Sequence, residues 1–368
     1  MNTTTKTSGQ WWETRGDSVT VSLDAVRSRA IALLVAAGAS AEDAAFIVDV
    51  HVDKALQGDH ERGIAMLAGE IRAAQVGDLD LRARIEVRRD HGATGLVGAG
   101  PKASHKLVCR EAMALAIRKA QAGGVGCVGA QAYGQALTPF IEQAVREGMV
   151  VLVLAQSLPT VAPHGGTQPL LGNAPIGWGV PAGRNAPVIV DMSLTQTSAK
   201  GVVRAAEQGD VLPPGFLLDA NGHPSTKAAD FADPAWLEKG KFVARGSLAT
   251  LGGSHKSYAL VFVVGLLASV LTGTDFAWEL GQDNTGPRRF GTLFVVLDPK
   301  AFGEPQDVLD RVDAYIDRVR SSPRREGVEA ILYPGERSGA LKQNGRTSGL
   351  LTLPAAHLRA LEALGSHA

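Results

Sequence analysis

A glycine- and proline-rich stretch in the middle of the chain isolates a few side chains that can do chemistry. Residues 161–166 set His164 between a proline and two glycines, and residues 171–175 repeat the glycine–proline theme before Asp191. Glycine lets the backbone approach a ligand closely and proline fixes its path, so the stretch is typical of a wall around a bound molecule. The same residues would also suit tight turns between strands, because glycine and proline form most loops.

Hydrophobic periodicity predicts the elements that position these residues. Apolar residues at helical spacing predict helices, the second of which begins with a capping-box variant, over residues 22–36, 40–56, 112–122, 139–147 and 305–319. Short apolar runs predict strands over residues 125–128, 149–155, 188–190 and 292–297. The longest apolar run, residues 258–271, is shorter than the ~20 residues of a membrane span and predicts a buried helix.

Five short motifs follow one another in a recognisable order. They are Val-Ala-Pro-His-Gly-Gly at 161–166, Leu-Gly-Asn-Ala-Pro at 171–175, Asp-Met-Ser-Leu-Thr at 191–195, Pro-Pro-Gly-Phe with Asp-Ala-Asn-Gly-His-Pro-Ser-Thr at 213–226, and Gly-Gly-Ser-His-Lys-Ser-Tyr at 252–258. This order resembles the non-Rossmann malate/L-lactate dehydrogenase family, which also holds ureidoglycolate and sulfolactate dehydrogenases and piperideine-2-carboxylate reductases. The likeness covers roughly residues 20–340.

The resemblance implies an α/β fold with two domains. We expect a non-Rossmann NAD(P)-binding domain with a mixed, largely antiparallel sheet over residues 96–299. Both chain ends, residues 19–95 and 300–368, are expected to build a helical dimerisation domain, and the family implies a homodimer. Residues 1–18 are polar and are expected to form a disordered tail.

The resemblance also implies NADH or NADPH as cofactor and points to the residues that bind it. These are Gln156, Ser157, Asp191, Met192, Ser193, His255 and Lys256. Two simpler interpretations stay open: Asp191 as a turn residue at a strand end, and His255 with Lys256 as a solvated loop before a helix. Ser254 and Ser257 depart from the family pattern in the last motif.

The proton-transfer residues of the family are replaced in this chain. Its Gly-x-Asp-Ser-His-Gly element aligns with residues 58–63, where Arg62 takes the histidine position and Glu61 the serine position. Its Asn-Ser-x-His-Phe-Gly element aligns with residues 129–134, where Ala132 replaces the second histidine. Both usual histidines are therefore missing, unless a shifted alignment brings His60 to the first site.

Several residues are candidates for the vacant roles. Arg62 carries a planar fork suited to a substrate carboxylate, and Asp191, Tyr133 or His164 are candidates for the catalytic machinery beside it. The alternatives are an ion pair of Arg62 with Asp59 or Glu61, a packing role for Tyr133 and a loop role for His164.

The implied function is hydride transfer between NAD(P)H and the carbon next to a carboxylate. The acceptor is a cyclic imino acid or a 2-oxo acid, with oxidation of a 2-hydroxy acid as the reverse direction. An iminium nitrogen already carries its proton, so loss of the histidines harms imine reduction less than ketone reduction, where a positioned acid contributes ~10²–10⁴-fold. The alternative is a scaffold that has become a non-redox enzyme or a binding protein.

Composition agrees with an enzyme that acts on small molecules. The 37 basic and 37 acidic residues give no net field for nucleic acid or an anionic membrane. Cys109 and Cys127 lack metal-ligand spacing and are expected as buried free thiols in a reducing, cytoplasmic compartment. Residues 95–100 carry three glycines, but without Gly-x-Gly-x-x-Gly spacing and an evident βαβ setting they do not predict a Rossmann site.

Overall fold

The computed structural model describes residues 17–60, 62–231, 244–280 and 289–365. Its helices are α1 Leu23–Ala36, α2 Ala41–Leu56, α3 Ile64–Gln75, α4 His105–Gly123, α5 Thr138–Arg146, α6 Ala199–Gln208, α7 His255–Val270, α8 Ala277–Leu280, α9 Pro305–Arg320, α10 Glu336–Ser348 and α11 Ala355–Ala363. Its strands are β1 Ser18–Ser22, β2 Glu86–His91, β3 Thr94–Gly98, β4 Val125–Ala130, β5 Val150–Ala155, β6 Ile176–Val180, β7 Val188–Met192, β8 Leu217–Leu218, β9 Pro224–Ser225, β10 Ser247–Leu248, β11 Thr292–Leu297 and β12 Leu350–Pro354. These bounds confirm the predicted helices and strands, with one clear error: α4 begins at His105, seven residues before the predicted start.

Helices α1 to α3 form the first core, and their starts follow from local capping. The Ser22 hydroxyl accepts from the Ala25 backbone N–H, and the Ser40 hydroxyl accepts from that of Asp43 at 3.0 Å. Each bond satisfies an orphan donor at a helix start. The apolar faces of these helices pack on one another and on β12 and α11, while β12 pairs with β1 near the amino terminus. Segments near both chain ends therefore share one core, which we call the helical unit.

The central sheet has seven strands in the order β2-β3-β4-β11-β5-β6-β7. Only β3 and β4 are parallel neighbours, so the sheet is mixed and largely antiparallel, and the predicted fold class is confirmed. Helix α4 links the two parallel strands. The expectation that no βαβ setting surrounds the glycines after residue 94 was therefore wrong, although their spacing still differs from the Rossmann pattern.

The predicted buried helix is α7, but only one of its faces is buried. Val261, Val264 and Ala268 pack inward, whereas Leu260, Phe262, Val263, Leu266 and Val270 are exposed. A helix that is apolar all round normally has every face covered. The prediction of a fully buried helix does not hold for this chain taken alone.

Three further predictions concern the boundary of the sheet domain, the amino-terminal tail and the two cysteines. Strand β2 extends the sheet to Glu86, ahead of the boundary expected at residue 95, and the division into two domains stays a prediction. Ser18 already begins β1, and residues 1–16 of the expected tail lie outside the described residues. Both cysteines are free; Cys109 is buried, which raises the pKa of its thiol to about 12, and Cys127 is half-buried rather than buried.

Two kinds of feature are absent from the described residues. No helix in this part of the chain is long and apolar enough to cross a membrane. The same residues hold no group of three or more His, Cys, Asp and Glu side chains that could bind a metal ion.

Candidate active site

A cavity of about 220 Å³ opens where the helical unit meets the sheet. Helices α2 and α3 with the turn between them form one wall, and the start of α4 with the segment after β4 forms the other. Its polar lining includes two residues from the predicted set, Arg62 and Tyr133, and four others, His51, Glu70, His105 and Lys106. The cavity therefore gathers cationic, anionic and titratable side chains in a space suited to a small molecule.

Arg62 lies in the turn between α2 and α3 and is held by Asp59. Its Nη1 donates to Asp59 Oδ2 at 2.8 Å, and its backbone N–H donates to Asp59 Oδ1 at 3.1 Å. Burial alone would raise the pKa of Asp59, but the guanidinium outweighs it and the pKa lies below its usual value. The expected ion pair is thus present, and it leaves Nε and Nη2 of Arg62 without a partner among the described residues. The Arg62 side chain is 34% exposed and lines the cavity, so these donors can meet a ligand.

Tyr133 combines a packing role with a place on the cavity wall. Its ring stacks on Phe290 with a centroid distance of 4.5 Å, and His105 meets the same phenyl ring edge-on at 6.0 Å. Burial raises the pKa of the Tyr133 hydroxyl, an effect that Arg62 opposes. Phe290 therefore packs against two residues of the same cavity wall, Tyr133 and His105.

Asp191 lies one residue before the end of β7 and links the sheet to the helical unit. Its Oδ2 accepts from Lys54 Nζ at 2.7 Å and from the Thr138 hydroxyl at 2.6 Å. The backbone N–H groups of Leu137 and Thr138, at the start of α5, also donate to this oxygen. Burial would raise the pKa of Asp191, but Lys54 and Thr138 hold it at about 2. Asp191 is therefore an ionised anchor at a helix start, where the helix dipole favours a negative charge.

Gln156 and Ser157 are buried, and their side chains are engaged within the protein. Gln156 Nε2 donates to Ser269 Oγ on α7 at 2.8 Å, and Ser157 Oγ donates to Asn173 Oδ1 at 2.6 Å. These bonds join the loop after β5 to α7 and to the Leu-Gly-Asn segment. The two side chains fix the shape of the expected cofactor wall, and any contact they make with a cofactor remains a prediction.

His164, His255 and Lys256 form a second group at the start of α7. The glycine-rich loop places the His164 ring 6.3 Å from that of His255 and 6.4 Å from that of Tyr258. Gly252 and Gly253 have φ values of 66° and 62°, a left-handed backbone that glycine adopts without strain, and they turn the chain into the helix. His255 and Lys256 are exposed in the first turn, which carries no acidic residue.

Residues 191–195 connect the two groups. Met192 is exposed, the Ser193 hydroxyl lies 3.1 Å from that of Thr195, and Thr195 bridges to Thr250 just before the two glycines. The Leu194 backbone also bonds to Asn173 and to Leu251. The predicted site residues are thus divided between two ends of one segment: Arg62, Tyr133 and Asp191 at one end, His164, His255 and Lys256 at the other.

One predicted residue lies elsewhere, and five residues of the site were not predicted. His60 is half-buried at the end of the turn after α2 and is not among the residues lining the cavity. Glu61, at the family's serine position, lies outside the described residues. The sequence candidates did not include His51, Lys54, Glu70, His105 and Lys106. One signal was available: His51 and Lys54 interrupt the apolar face of α2, and buried charged groups are rare without a partner.

Comparisons with known proteins identify the family. The chain matches the malate/L-lactate dehydrogenase family model over residues 21–362. It is 31% identical to L-sulfolactate dehydrogenase of Methanothermobacter thermautotrophicus, with 86% of this chain and 88% of that protein aligned. It is 28% identical to the Δ¹-pyrroline-2-carboxylate/Δ¹-piperideine-2-carboxylate reductase of Pseudomonas syringae pv. tomato, over 91% and 93% of the two chains. The crystal structure of Δ¹-piperideine-2-carboxylate reductase from the same organism superposes with a TM-score of 0.78 and 26% identity, over 94% of this chain and all of that one.

The chain therefore belongs to the malate/L-lactate dehydrogenase family. The expected enzyme class, an NAD(P)-dependent oxidoreductase, is confirmed, and NAD(P)H is its cofactor. The residues at the start of α7 fit this group, because an exposed lysine and two histidines at the positive end of a helix dipole suit phosphate oxygens. The missing histidines at positions 62 and 132 remain a sequence-based interpretation, and Ala132 is fully buried.

Proposed function

We propose that the protein reduces a small carboxylate-bearing substrate, a cyclic imino acid or a 2-oxo acid, at the carbon next to the carboxylate. The observation that carries this proposal is the position of Arg62, whose free guanidinium edge faces the cavity beside Tyr133. A planar guanidinium binds a carboxylate through two parallel hydrogen bonds, which fixes the adjacent carbon as well as the charge. Dehydrogenases and reductases of both substrate classes are among the relatives.

Charge in the cavity favours Arg62 as the substrate anchor over a purely structural role. Burial lowers the pKa of a guanidinium, yet Asp59 reverses this effect and the pKa of Arg62 lies above its usual value. The side chain therefore stays cationic and cannot act as an acid. Binding and orienting the substrate is the role that remains for it, and proton transfer falls to another group.

Residues 191–195, which connect the two groups of site residues, would lie along bound NAD(P)H. When bound, NAD(P)H supplies the hydride; the chain's own residues hold and orient it. Lys256, His255 and His164 would bind its phosphate oxygens, while exposed Met192 and half-buried Ser193 would contact it closer to the cavity. In this arrangement Asp191 contributes by holding α2 and α5 in place at the substrate end.

The proposal extends to assembly and location. A second copy of the chain covers the exposed apolar face of α7, which gives a homodimer. A contact through α1, which belongs to the expected dimerisation domain, is less favoured. The apolar residues of α1 pack inside the chain's own helical core; they are Leu23, Val26, Ala30 and Leu34. Two free thiols suit a reducing compartment, and we place the enzyme in the cytoplasm.

The proposal is tested by fluorescence titration of the purified protein with NADH and NADPH. Lys256→Ala is expected to weaken binding about tenfold, since a phosphate contact of about 1.4 kcal/mol is lost. Exposed Lys300, which lies far along the chain after β11, provides the matched control Lys300→Ala with unchanged affinity. If neither dinucleotide binds, the alternative of a repurposed scaffold replaces the proposal.

A further inference from the structure

The cavity lining contains a charged cluster for which the proposed function gives no role. The cluster consists of Lys106 in the first turn of α4, Glu70 on α3 and His51 on α2. Lys106 Nζ donates to Glu70 Oε1, and the Lys106 side chain is 12% exposed. The ammonium has three N–H donors, so two remain for a molecule in the cavity after this bond.

On its other side, Glu70 faces His51. His51 Nε2 lies 3.3 Å from Glu70 Oε2, and His51 Nδ1 lies 2.7 Å from the Arg62 carbonyl oxygen, to which it donates. Burial would raise the pKa of Glu70, but Lys106 and His51 outweigh it and keep the carboxylate ionised. Lys106, Glu70 and His51 therefore lie next to one another in that order. His51 in turn contacts the backbone carbonyl of Arg62, the proposed substrate anchor.

Lys106 is the cavity group best suited to give a proton. Both nitrogen atoms of His51 face protein groups, and its ring is 1% exposed. Burial and the neighbouring Lys106 ammonium lower the pKa of His105 to about 4, so its imidazole is neutral near pH 7. Burial raises the pKa of Tyr133 and makes it a weaker acid. The Lys106 ammonium, by contrast, keeps N–H donors available to a molecule in the cavity.

We propose that Lys106 is the catalytic acid of 2-oxo acid reduction, and that Glu70 and His51 are positioning residues that hold its ammonium at the substrate. This inference rests on the proposed function. As the hydride adds to the carbonyl carbon, the electron pair of the C=O π bond moves to oxygen, and that oxygen takes a proton from Lys106 Nζ. The neutral amine regains its proton from water at the cavity mouth. An iminium nitrogen already carries its proton, so the same step is not required for a cyclic imino acid.

The test compares Lys106→Met and Lys106→Arg on pyruvate and on Δ¹-piperideine-2-carboxylate. For Lys106→Met we expect kcat with pyruvate to fall by ~10²–10⁴-fold and kcat with the imino acid by less than ~10-fold, because only the first reaction needs an acid. Lys106→Arg keeps the charge but is a poor acid, so its kcat with pyruvate is expected to stay low. Glu70→Gln is expected to lower kcat with pyruvate while its KM changes little. Lys102→Met, an exposed neighbour that precedes α4, is the control and is expected to match the wild type.

Three results would overturn the assignment. They are equal losses on both substrates, recovery of kcat with pyruvate in Lys106→Arg, and a wild-type enzyme that reduces the imino acid alone. The double variant Lys106→Met/Glu70→Gln removes both charges, and its thermal melt separates a folding defect from a catalytic one. A wild-type enzyme that turns over neither substrate would instead refute the proposed function.

Discussion

Arg62 and Lys106 approach the cavity from opposite walls, each with one carboxylate partner. Asp59 and Glu70 balance their charges and hold them in defined positions. In the proposed division of work, Arg62 binds the substrate carboxylate and Lys106 protonates the reacting oxygen. Replacement of histidine at position 62 would then be compatible with retained redox chemistry, because a different element supplies the acid.

The role of Arg62 predicts a specific kinetic change. Arg62→Lys replaces a planar fork by a point charge, so one of two parallel hydrogen bonds to the carboxylate is lost. A hydrogen bond to a charged group contributes about 1.5–3 kcal/mol, which raises KM by about 10- to 100-fold while kcat changes less. Steady-state kinetics measures this split. Arg72→Lys, at an exposed position on α3, should leave KM unchanged; an unchanged KM in Arg62→Lys itself would exclude the anchor role.

Asp191 predicts a defined pH dependence of stability. Its pKa is about 2 in the folded protein, below the ordinary value of 3.8. A group whose folded pKa is depressed stabilises the protein above the unfolded pKa, and this contribution disappears as pH falls through the folded pKa. The wild type should therefore gain about 2 kcal/mol over Asp191→Asn between pH 2 and pH 4. Urea unfolding at several pH values measures the difference, and a constant difference over this window would refute the ion-pair account.

Sequence motifs identified residues that stand within short local patterns. They missed residues that come together only when helices pack. Arg62, Tyr133 and Asp191 stand at positions matched to short family motifs, so they were predictable. His51, Glu70 and Lys106 belong to three helices and meet only when α2, α3 and α4 pack together. No local pattern relates Lys106 to Glu70, which is 36 residues away.

At the scale of elements, local signals determined most of the helices and strands. Ser22 and Ser40 cap α1 and α2 through bonds within four residues, which is why those starts were predicted closely. Helix α4 was predicted too short because its first turn, around His105 and Lys106, is polar. The order of the sheet was unpredictable from pattern alone, since β11 enters between β4 and β5 from far along the chain.

The packing of α4 on β4 depends on a glycine. A Cβ at Gly126 would lie 2.0 Å from the Ala116 carbonyl oxygen, so Gly126→Ala must force the helix away from the sheet. Overpacking of this kind costs about 1–3 kcal/mol or more. Gly69→Ala on α3 is the matched control: its Cβ meets nothing within 4 Å, and a helical alanine there should stabilise by about 0.5–1 kcal/mol. Thermal melts of the two variants should shift in opposite directions, and equal shifts would refute this packing.

At the scale of the whole molecule, ion pairs of the helices α2, α5 and α10 connect the helical unit to the sheet. Lys342 on α10 lies 2.9 Å from Asp53 on α2 and 2.6 Å from Glu142 on α5. Lys54, one residue after Asp53, makes the Asp191 contact from the same helix. The cavity walls are therefore held by ion pairs that cross between the helical unit and the sheet.

The exposed face of α7 predicts the state of assembly. Phe262→Asp combined with Leu266→Asp places two charges in the proposed contact, where burial without a partner is costly. We expect the mass in solution, measured by light scattering, to fall from two chains to one. Val211→Asp changes an exposed residue outside α7 and should leave the dimer intact. A double variant that stays dimeric would show that the contact lies elsewhere on the chain. A monomeric wild type would refute the proposed dimer.

The central claim is hydride transfer to the carbon beside a carboxylate. The most direct test incubates the enzyme with NADPH or NADH carrying deuterium at C4 of the nicotinamide, in both stereochemical forms, together with Δ¹-piperideine-2-carboxylate or pyruvate. Mass spectrometry of the product should show one deuterium on the carbon next to the carboxylate, from one form of the label only. Bound dinucleotide without deuterium transfer to either substrate would contradict the proposed reaction.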